Sequence, residues 1–339
     1  MKPDVLVTGA TGFLGQRLAR CLHADGYRVT ATGRNSIVGE KLAGVGIGFI
    51  PADLADSEAV AALCKGKTYV FHSAALSSPW GKYRDFYQAN VVGTKNIIAG
   101  CQTHDVSRLI HVSTPSVYFA YEDRLNIRED EPLPQRFVNH YAATKFLAEQ
   151  EVERAVKSGL PAVMIRPRAL FGPGDTTILP RLIRANEKKF VPLINGGQAL
   201  VDVTYVDNVV DALRLAAVAP ETALGQVYNI TNGEPLRLID LLTMLFARLE
   251  QPFRQKHLSF TAAYRLAWLM EMASRTVLFG REPILTRYSV GVLAKSQTLD
   301  ISRARVELGY EPRVSIEEGL NLFVDGWRKQ HDCNYAHDI

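Results

Sequence analysis

Short apolar, β-rich runs alternate with longer stretches whose apolar residues recur at helical spacing through the first half of the chain. The runs are "DVLVTG", "RVTATG", "GIGFI", "TYVFHSA", "RLIHVST" and "PAVMIRP". Their near-continuous apolar character predicts strands buried on both faces, and the helical stretches between them predict a parallel sheet covered on each side. After Gly174 the rhythm changes. A helix in "DTTILPRLIRANEKK" leads to a turn at "INGGQ", a strand at "DVTYV", a helix in "DNVVDALRLAAVA" and a strand at "QVYNIT". The remainder reads as mostly helical. The expected organisation is a domain over 1–175 and a smaller, mostly helical substrate domain over 176–339, with a strand or two returning to the main sheet.

The first strand runs into "VTGATGFLGQRLA", where Gly9, Gly12 and Gly15 are spaced by three and Leu14, Leu18 and Leu22 form the apolar stripe of a following helix. Bare backbone entering a helix N-terminus is an anion site, because unsatisfied N–H groups and the helix dipole both face the ligand. With the strand–helix alternation, this predicts a Rossmann-type doubly wound α/β fold holding the pyrophosphate of a dinucleotide, with Phe13 and Leu14 at the helix start. NAD-preferring sites carry an acidic residue at the end of the second strand, whereas here the chain reads Thr32-Gly33-Arg34-Asn35. Arg34 suits a 2′-phosphate, so NADP(H) is expected over NAD(H); the alternative is a solvated surface arginine. Asp53, followed by Leu54, is expected at the adenine, and small residues around Ala74 in "HSAA" let backbone approach the cofactor. His72 in that segment reads more readily as a satisfied core histidine.

"YAATK" puts Tyr141 and Lys145 four apart on one helical face. An ammonium beside a phenol, joined by the positive nicotinamide of the oxidised cofactor, favours the phenolate, which predicts a lowered tyrosine pKa and a proton donor–acceptor for a carbonyl or alcohol. "HVSTPSVY" ends the preceding strand, and Thr114 or its neighbour Ser113 offers a hydroxyl to the same oxygen.

Taken in order, the glycine turn, "HSAA", "NVVGT", "STPSVY", "YAATK" and "RPRALFGPGD" resemble the extended short-chain dehydrogenase/reductases across nearly the whole chain. The resemblance implies Thr114, Tyr141 and Lys145 as the catalytic trio, Lys145 also holding the nicotinamide ribose, and Pro167 with the backbone after it meeting the nicotinamide amide. It also implies a supporting role for Asn90, for which a structural role bridging backbone groups is the alternative. Many such proteins dimerise through the Tyr-x-x-x-Lys helix, so a homodimer is expected. Nucleotide-sugar members commonly carry an arginine where "VDVTYVDN" has Val201, which removes a diphosphate contact. "AALSSPWGKYRDFYQANVVGT", "PRALFGPGD" and "SRARVELGYEPRVSIEEGL" resemble the 3β-hydroxysteroid dehydrogenase and 2-alkyl-3-ketoalkanoate reductase branch. The implied activity interconverts a hydrophobic secondary alcohol and a ketone. A nucleotide-sugar epimerase or dehydratase, and a non-catalytic NADP(H) sensor, are the rival readings. Residues 260–293, with Trp268 and Phe279, suit either a lid over an apolar substrate or ordinary core. For a keto acid, Arg168 and Arg181 are the cations that follow the nicotinamide-side strand, with salt bridging as the alternative fate of each.

The bulk properties change this picture little. The 339 residues are 47% apolar and carry a net charge of only +4, without like-charge runs, which argues against nucleic acid as a partner. Cys21, Cys64, Cys101 and Cys333 lie far apart, predicting free thiols and no metal site. The strand starting near Met1 leaves no room for a signal peptide, which predicts a cytoplasmic protein. Arg265, Glu271 and Arg275 interrupt "FTAAYRLAWLMEMASRTVLFG", so no transmembrane span is expected, although this stretch could touch a membrane surface.

Overall fold

The computed structural model describes residues 2–276 and 280–335, with the backbone alone for 330–335. Strands β1 (Asp4–Thr8), β2 (Arg28–Gly33), β3 (Gly48–Pro51), β4 (Tyr69–His72) and β5 (Arg108–Val112) join Ala162–Pro167 and Val227–Ile230 in one seven-stranded sheet. Its order is Val227–Ile230, Ala162–Pro167, β5, β4, β1, β2, β3, and every pairing is parallel. The order reverses between β1 and β4. In such sheets the crevice outside the carboxyl ends of these two strands is where ligands bind.

The sheet core follows from its sequence. Val5, Leu6 and Val7 are all fully buried, consistent with helices on both faces. Helix α1 (Phe13–Ala24) turns Leu18, Ala19 and Leu22 inward, each large aliphatic side chain contributing about 1.5–3 kcal/mol by leaving water. Arg17 on its outer face meets Asp207 of helix Val206–Val218 through two hydrogen bonds of 2.5 and 2.7 Å.

A second core lies beyond Phe171. It gathers Leu179 and Ile183 of helix Leu179–Lys188, Leu241, Leu242, Leu245 and Phe246 of Leu238–Arg248, and Leu320 and Phe323 of Ile316–Tyr335. Phe13 and Leu14 pack against it, so the first turn of α1 touches both halves of the molecule. Strand Val227–Ile230 does return to the main sheet, in register with Met164–Pro167.

Local differences from the sequence reading have simple causes. "DVTYV" is strand only at Thr204–Tyr205, because helix Val206–Val218 begins directly afterwards. Arg124–Ile127 is a strand the hydrophobic pattern does not reveal, since only Ile127 of its four residues is buried. It pairs with Gln297–Leu299, which continues through Leu200–Val201 to Leu236–Arg237, tying distant segments into a small second sheet.

Candidate active site

The glycine turn is shaped by close backbone approach. Gly9 has φ +67°, and a Cβ there would lie 2.7 Å from the Ala74 backbone, so the turn after β1 is pressed against the loop after β4. A Cβ on Gly15 would lie 2.3 Å from the Gly9 carbonyl oxygen, which lets α1 start directly on the turn. Gly12 caps α1 without a side-chain hydrogen bond, so no capping side chain takes up the first-turn N–H groups at Phe13, Leu14 and Gly15.

A cavity of about 330 Å³ opens there, lined by Gly9, Thr11, Gly12, Thr32, Gly33, Arg34, Asn35, Ala52, Asp53, Leu54, Ser73, Ala74, Ala75, Leu76 and Ala89. Of the residues expected from sequence, Gly9, Gly12, Arg34, Asp53, Leu54 and Ala74 line it directly. Arg34 is exposed at its rim, and Asp53 spends one carboxylate oxygen on the Ala55 N–H at 3.0 Å. The buried Thr32 hydroxyl in its wall lacks a hydrogen-bond partner. A bare-backbone cradle, a helix N-terminus, an orphaned hydroxyl and a rim arginine together fit a dinucleotide. Thr11 and Ser73, absent from the sequence reading, also line the cavity; their signal was adjacency to the glycine turn and to "HSAA".

The second group of residues sits at the ends of β5 and helix His140–Lys157, whose N-cap Asn139 accepts from the Ala142 N–H at 2.8 Å. Lys145 is 1% exposed; its ammonium donates to the Val112 carbonyl at 2.7 Å and reaches His111 Nε2 at 3.2 Å. Burial pulls the ammonium down to about 8, against the opposing pull of Glu149. Tyr141 receives no net lowering from the protein alone. Its phenol is held above its usual range because burial outweighs the neighbouring hydroxyls of Thr114 and Ser77, and Lys145 directs its donors at Val112 and His111 instead.

Thr114 is bonded to Ser116, hydroxyl to hydroxyl, at 3.1 Å, and Ser116 meets the Tyr288 hydroxyl at 3.0 Å. Ser113, the other hydroxyl considered, is buried without a hydrogen-bond partner. Pro167 ends its buried strand two residues beyond Ile165, whose carbonyl accepts from the Ser113 N–H at 2.7 Å. Asn90 lies in a π-helical turn, Tyr87–Val92. It accepts from Leu76 N–H at 2.7 Å and donates to Thr144 at 3.0 Å, so it pins the loop after β4 to the Tyr141–Lys145 helix. His72 is buried between Thr8 and Thr94, at 2.8 and 2.9 Å, and desolvation holds it neutral down to about 3.

Behind Lys145, one turn along the helix, Glu149 forms a buried bidentate pair with Arg166 at 2.8 and 2.5 Å, and Arg166 also donates to the Tyr118 hydroxyl. The i, i+4 continuation from Tyr141 through Lys145 to Glu149 was the available sequence signal for this support.

The described residues of 260–293 contribute to packing. Helix Phe260–Thr276 buries Ala263 and Ala267, while Leu266, Trp268, Leu269 and Met272 stand exposed on other faces. Phe279 lies outside the described residues. Helix Arg287–Ala294 delivers Tyr288, and an aromatic chain of Tyr264, Tyr121, Phe119 and Tyr288 connects the two helices to the site. Trp80, on the loop after β4, donates to the Gly280 carbonyl at 3.0 Å. Val201 is buried in its short strand, and Arg181 pairs with Glu282 at 3.4 Å on the surface. Among the described residues no helix is long and apolar enough to cross a membrane.

Comparison with known proteins agrees with this architecture. Residues 5–231 match the model of the NAD dependent epimerase/dehydratase family. The chain is 41% identical over 321 residues to a 2-alkyl-3-oxoalkanoate reductase of Stenotrophomonas maltophilia, covering 93% of this chain and 97% of that protein. It is 33% identical over 348 residues to 3beta-hydroxysteroid-dehydrogenase/decarboxylase isoform 1 of Arabidopsis thaliana, covering 95% and 79%. Among solved structures, MoeE5 in complex with UDP-glucose and NAD superposes with a TM-score of 0.78 at 26% identity, covering 97% of this chain and 99% of that one. The chain belongs to the NAD dependent epimerase/dehydratase family, and within it to the oxidoreductases of the extended short-chain dehydrogenase/reductase type.

Proposed function

We propose that this protein is an NADP(H)-dependent reductase that interconverts a hydrophobic ketone and secondary alcohol, of the 3-keto and 3-hydroxy acid or 3β-hydroxysteroid type. The observation that carries the reading is the hydroxyl cluster of Tyr141, Thr114, Ser116 and Tyr288, with Lys145 one helical turn along, joined through Ser77 to the loop whose Ala74, Ala75 and Leu76 line a cavity suited to a dinucleotide. The 41% identity to a 2-alkyl-3-oxoalkanoate reductase supports the substrate class.

When bound, the cofactor supplies or accepts the hydride. Gly9, Gly12 and Gly15, with the first-turn N–H groups of α1 at Phe13 and Leu14, hold its pyrophosphate; Arg34 meets a 2′-phosphate; Asp53, Leu54 and Ala74 line the adenosine side. Pro167 and the backbone after it border the nicotinamide. Tyr141 gives its proton to the substrate oxygen in reduction and takes it back in oxidation, while Thr114 donates to the same oxygen. The hydroxyls of Thr114 and Ser77 make losing the proton cost less than burial alone would impose, and Lys145, fixed by Val112 and His111, stands one helical turn along to hold the nicotinamide ribose. Asn90 supports the site by positioning the Tyr141 helix.

A domain division near residue 175 separates a cofactor half, which carries Tyr141, from a substrate half. The protein acts in the cytoplasm, as a homodimer through the helix His140–Lys157 and its neighbour Gly93–Thr103. The nucleotide-sugar reading is supported by UDP-sugar complexes among the structural neighbours, but Val201 offers a diphosphate no charge. Tyr141→Phe is the test of the mechanism: NADPH-dependent reduction of an apolar ketone falls by about 100-fold or more with cofactor affinity retained. Unchanged turnover in this variant would remove Tyr141 from the chemistry.

A further inference from the structure

The guanidinium of Arg168 is buried with its Nε unpartnered, next to the Tyr288 arm of the hydroxyl cluster. The residue directly follows strand Ala162–Pro167 and is 6% exposed. Its backbone is fixed at both ends: the N–H donates to Ile230 at 3.0 Å and the carbonyl accepts from the Thr204 hydroxyl at 2.5 Å. Among the described residues, however, no side chain or backbone acceptor hydrogen-bonds its guanidinium, no carboxylate lies within ion-pair distance, and its buried Nε is without a partner. Arg166, two residues earlier and equally buried, has the bidentate Glu149 pair that such a position ordinarily demands.

The neighbours of Arg168 connect it to the chemistry. Tyr288 and Asp202 are the groups that favour its charge against desolvation. Tyr288 is bonded to Ser116, which is bonded to Thr114, and Tyr288 also influences Tyr141. Asp202 commits an oxygen to the Leu299 N–H at 2.7 Å, and burial holds its carboxyl up at about 6 against the pull of that N–H and of the Arg168 charge, so it offsets the guanidinium across space without accepting a hydrogen bond from it. A buried guanidinium without an acceptor is strongly unfavourable unless a ligand supplies one. Its planar fork matches a carboxylate in bidentate fashion.

We propose that Arg168 binds the carboxylate of the substrate, making the enzyme selective for 2-alkyl-3-keto and 3-hydroxy acids over neutral ketones, alcohols and sterols of equal size. The assignment rests on the reductase reading above and adds to it the residue that sets substrate class. In a 3-keto acid the carboxylate carbon is two bonds from the carbonyl carbon, so one cation on the Tyr288 side of the Tyr141–Thr114 pair serves recognition and orientation together. Held by Arg168, the acid presents its carbonyl to Tyr141 in a single direction.

The test uses two matched probes with NADP⁺, a 2-alkyl-3-hydroxyalkanoate and the neutral secondary alcohol left when its carboxylate is removed, together with calorimetric binding of an unreactive 2-alkylalkanoate. For Arg168→Met, the acid-to-alcohol ratio of kcat/KM is expected to fall about 100-fold, mostly through KM, with Arg168→Lys in between. Binding of the unreactive acid is lost in Arg168→Met, and the ligand-free variant melts at or above the wild-type temperature because an uncompensated buried charge has been removed. Equal loss on both probes, a lower melting temperature, or acid binding that survives the substitution would each overturn the assignment. If the wild type binds the unreactive acid through Arg168 but oxidises neither probe, the carboxylate site stands and the reductase reading fails. Should Arg168→Met not fold, Arg168→Lys decides by the same ratio and the same binding measurement.

Discussion

Lys145 and His111 meet in the interior with 3.2 Å between Nζ and Nε2, and neither is more than 1% exposed. Because an ammonium only donates, His111 accepts through Nε2 and is neutral, its proton on Nδ1. Desolvation and the Lys145 charge both hold it in that form. The ammonium is thus fixed at the end of β5 by a carbonyl and an imidazole.

The first prediction concerns pH. An unfolded chain keeps the lysine proton to about 10.5 and the folded protein only to about 8, so unfolding takes up a proton between those values. The contribution of Lys145 to stability therefore rises as pH climbs from 8 to 10.5, and at pH 7 its buried charge is a net cost. Lys145→Met is expected to gain up to about 3 kcal/mol at pH 7 in urea unfolding, offset by its lost hydrogen bonds, while reductase activity disappears. In the wild type, reduction declines as pH rises through about 8.

Glu149 raises the Lys145 pKa and neutralises Arg166 at once. Glu149→Gln leaves a buried guanidinium uncompensated and is expected to cost about 3–5 kcal/mol. In whatever fraction folds, the alkaline decline of activity moves to lower pH, which a pH–rate profile measures.

Arg34→Ala is expected to weaken NADPH about 10- to 100-fold and to leave NADH affinity nearly unchanged, as read by nicotinamide fluorescence. Equal affinity of the wild type for both cofactors would return Arg34 to the solvent.

Gly15→Ala forces a Cβ to 2.3 Å from the Gly9 carbonyl oxygen, where backbone must shift. A loss of about 1–3 kcal/mol and of cofactor binding is expected. Gly44→Ala is the contrast, since Gly44 has φ −62° and its added carbon would meet only ordinary contacts. It is expected to be neutral or stabilising by up to about 1 kcal/mol in thermal unfolding.

Much of the fold was legible because its signals are local. Continuous burial at Val5–Val7 marks a parallel strand, and Gly9 and Gly15 mark contacts that only a missing side chain permits. Tyr141 and Lys145 could be paired from spacing alone. Tyr288 could not, because it reaches Ser116 across the fold from a C-terminal helix and no periodicity reports such a contact. The same holds for Arg168: sequence offers the cation, but only the packed structure reveals that Arg181 hydrogen-bonds a carboxylate while the buried Nε of Arg168 has no partner. Spacing puts Lys145 on the face of Tyr141 but hides the desolvation that holds the phenol up in the protein alone, and the Thr114 and Ser77 hydroxyls that oppose it.

The central claim is tested most directly by supplying purified protein with a 2-alkyl-3-hydroxyalkanoate and NADP⁺ and following the absorbance of the reduced nicotinamide, for wild type and Tyr141→Phe. The account predicts steady NADPH formation by the wild type, lost in the variant. Turnover of a UDP-sugar with no oxidation of the hydroxy acid would contradict it.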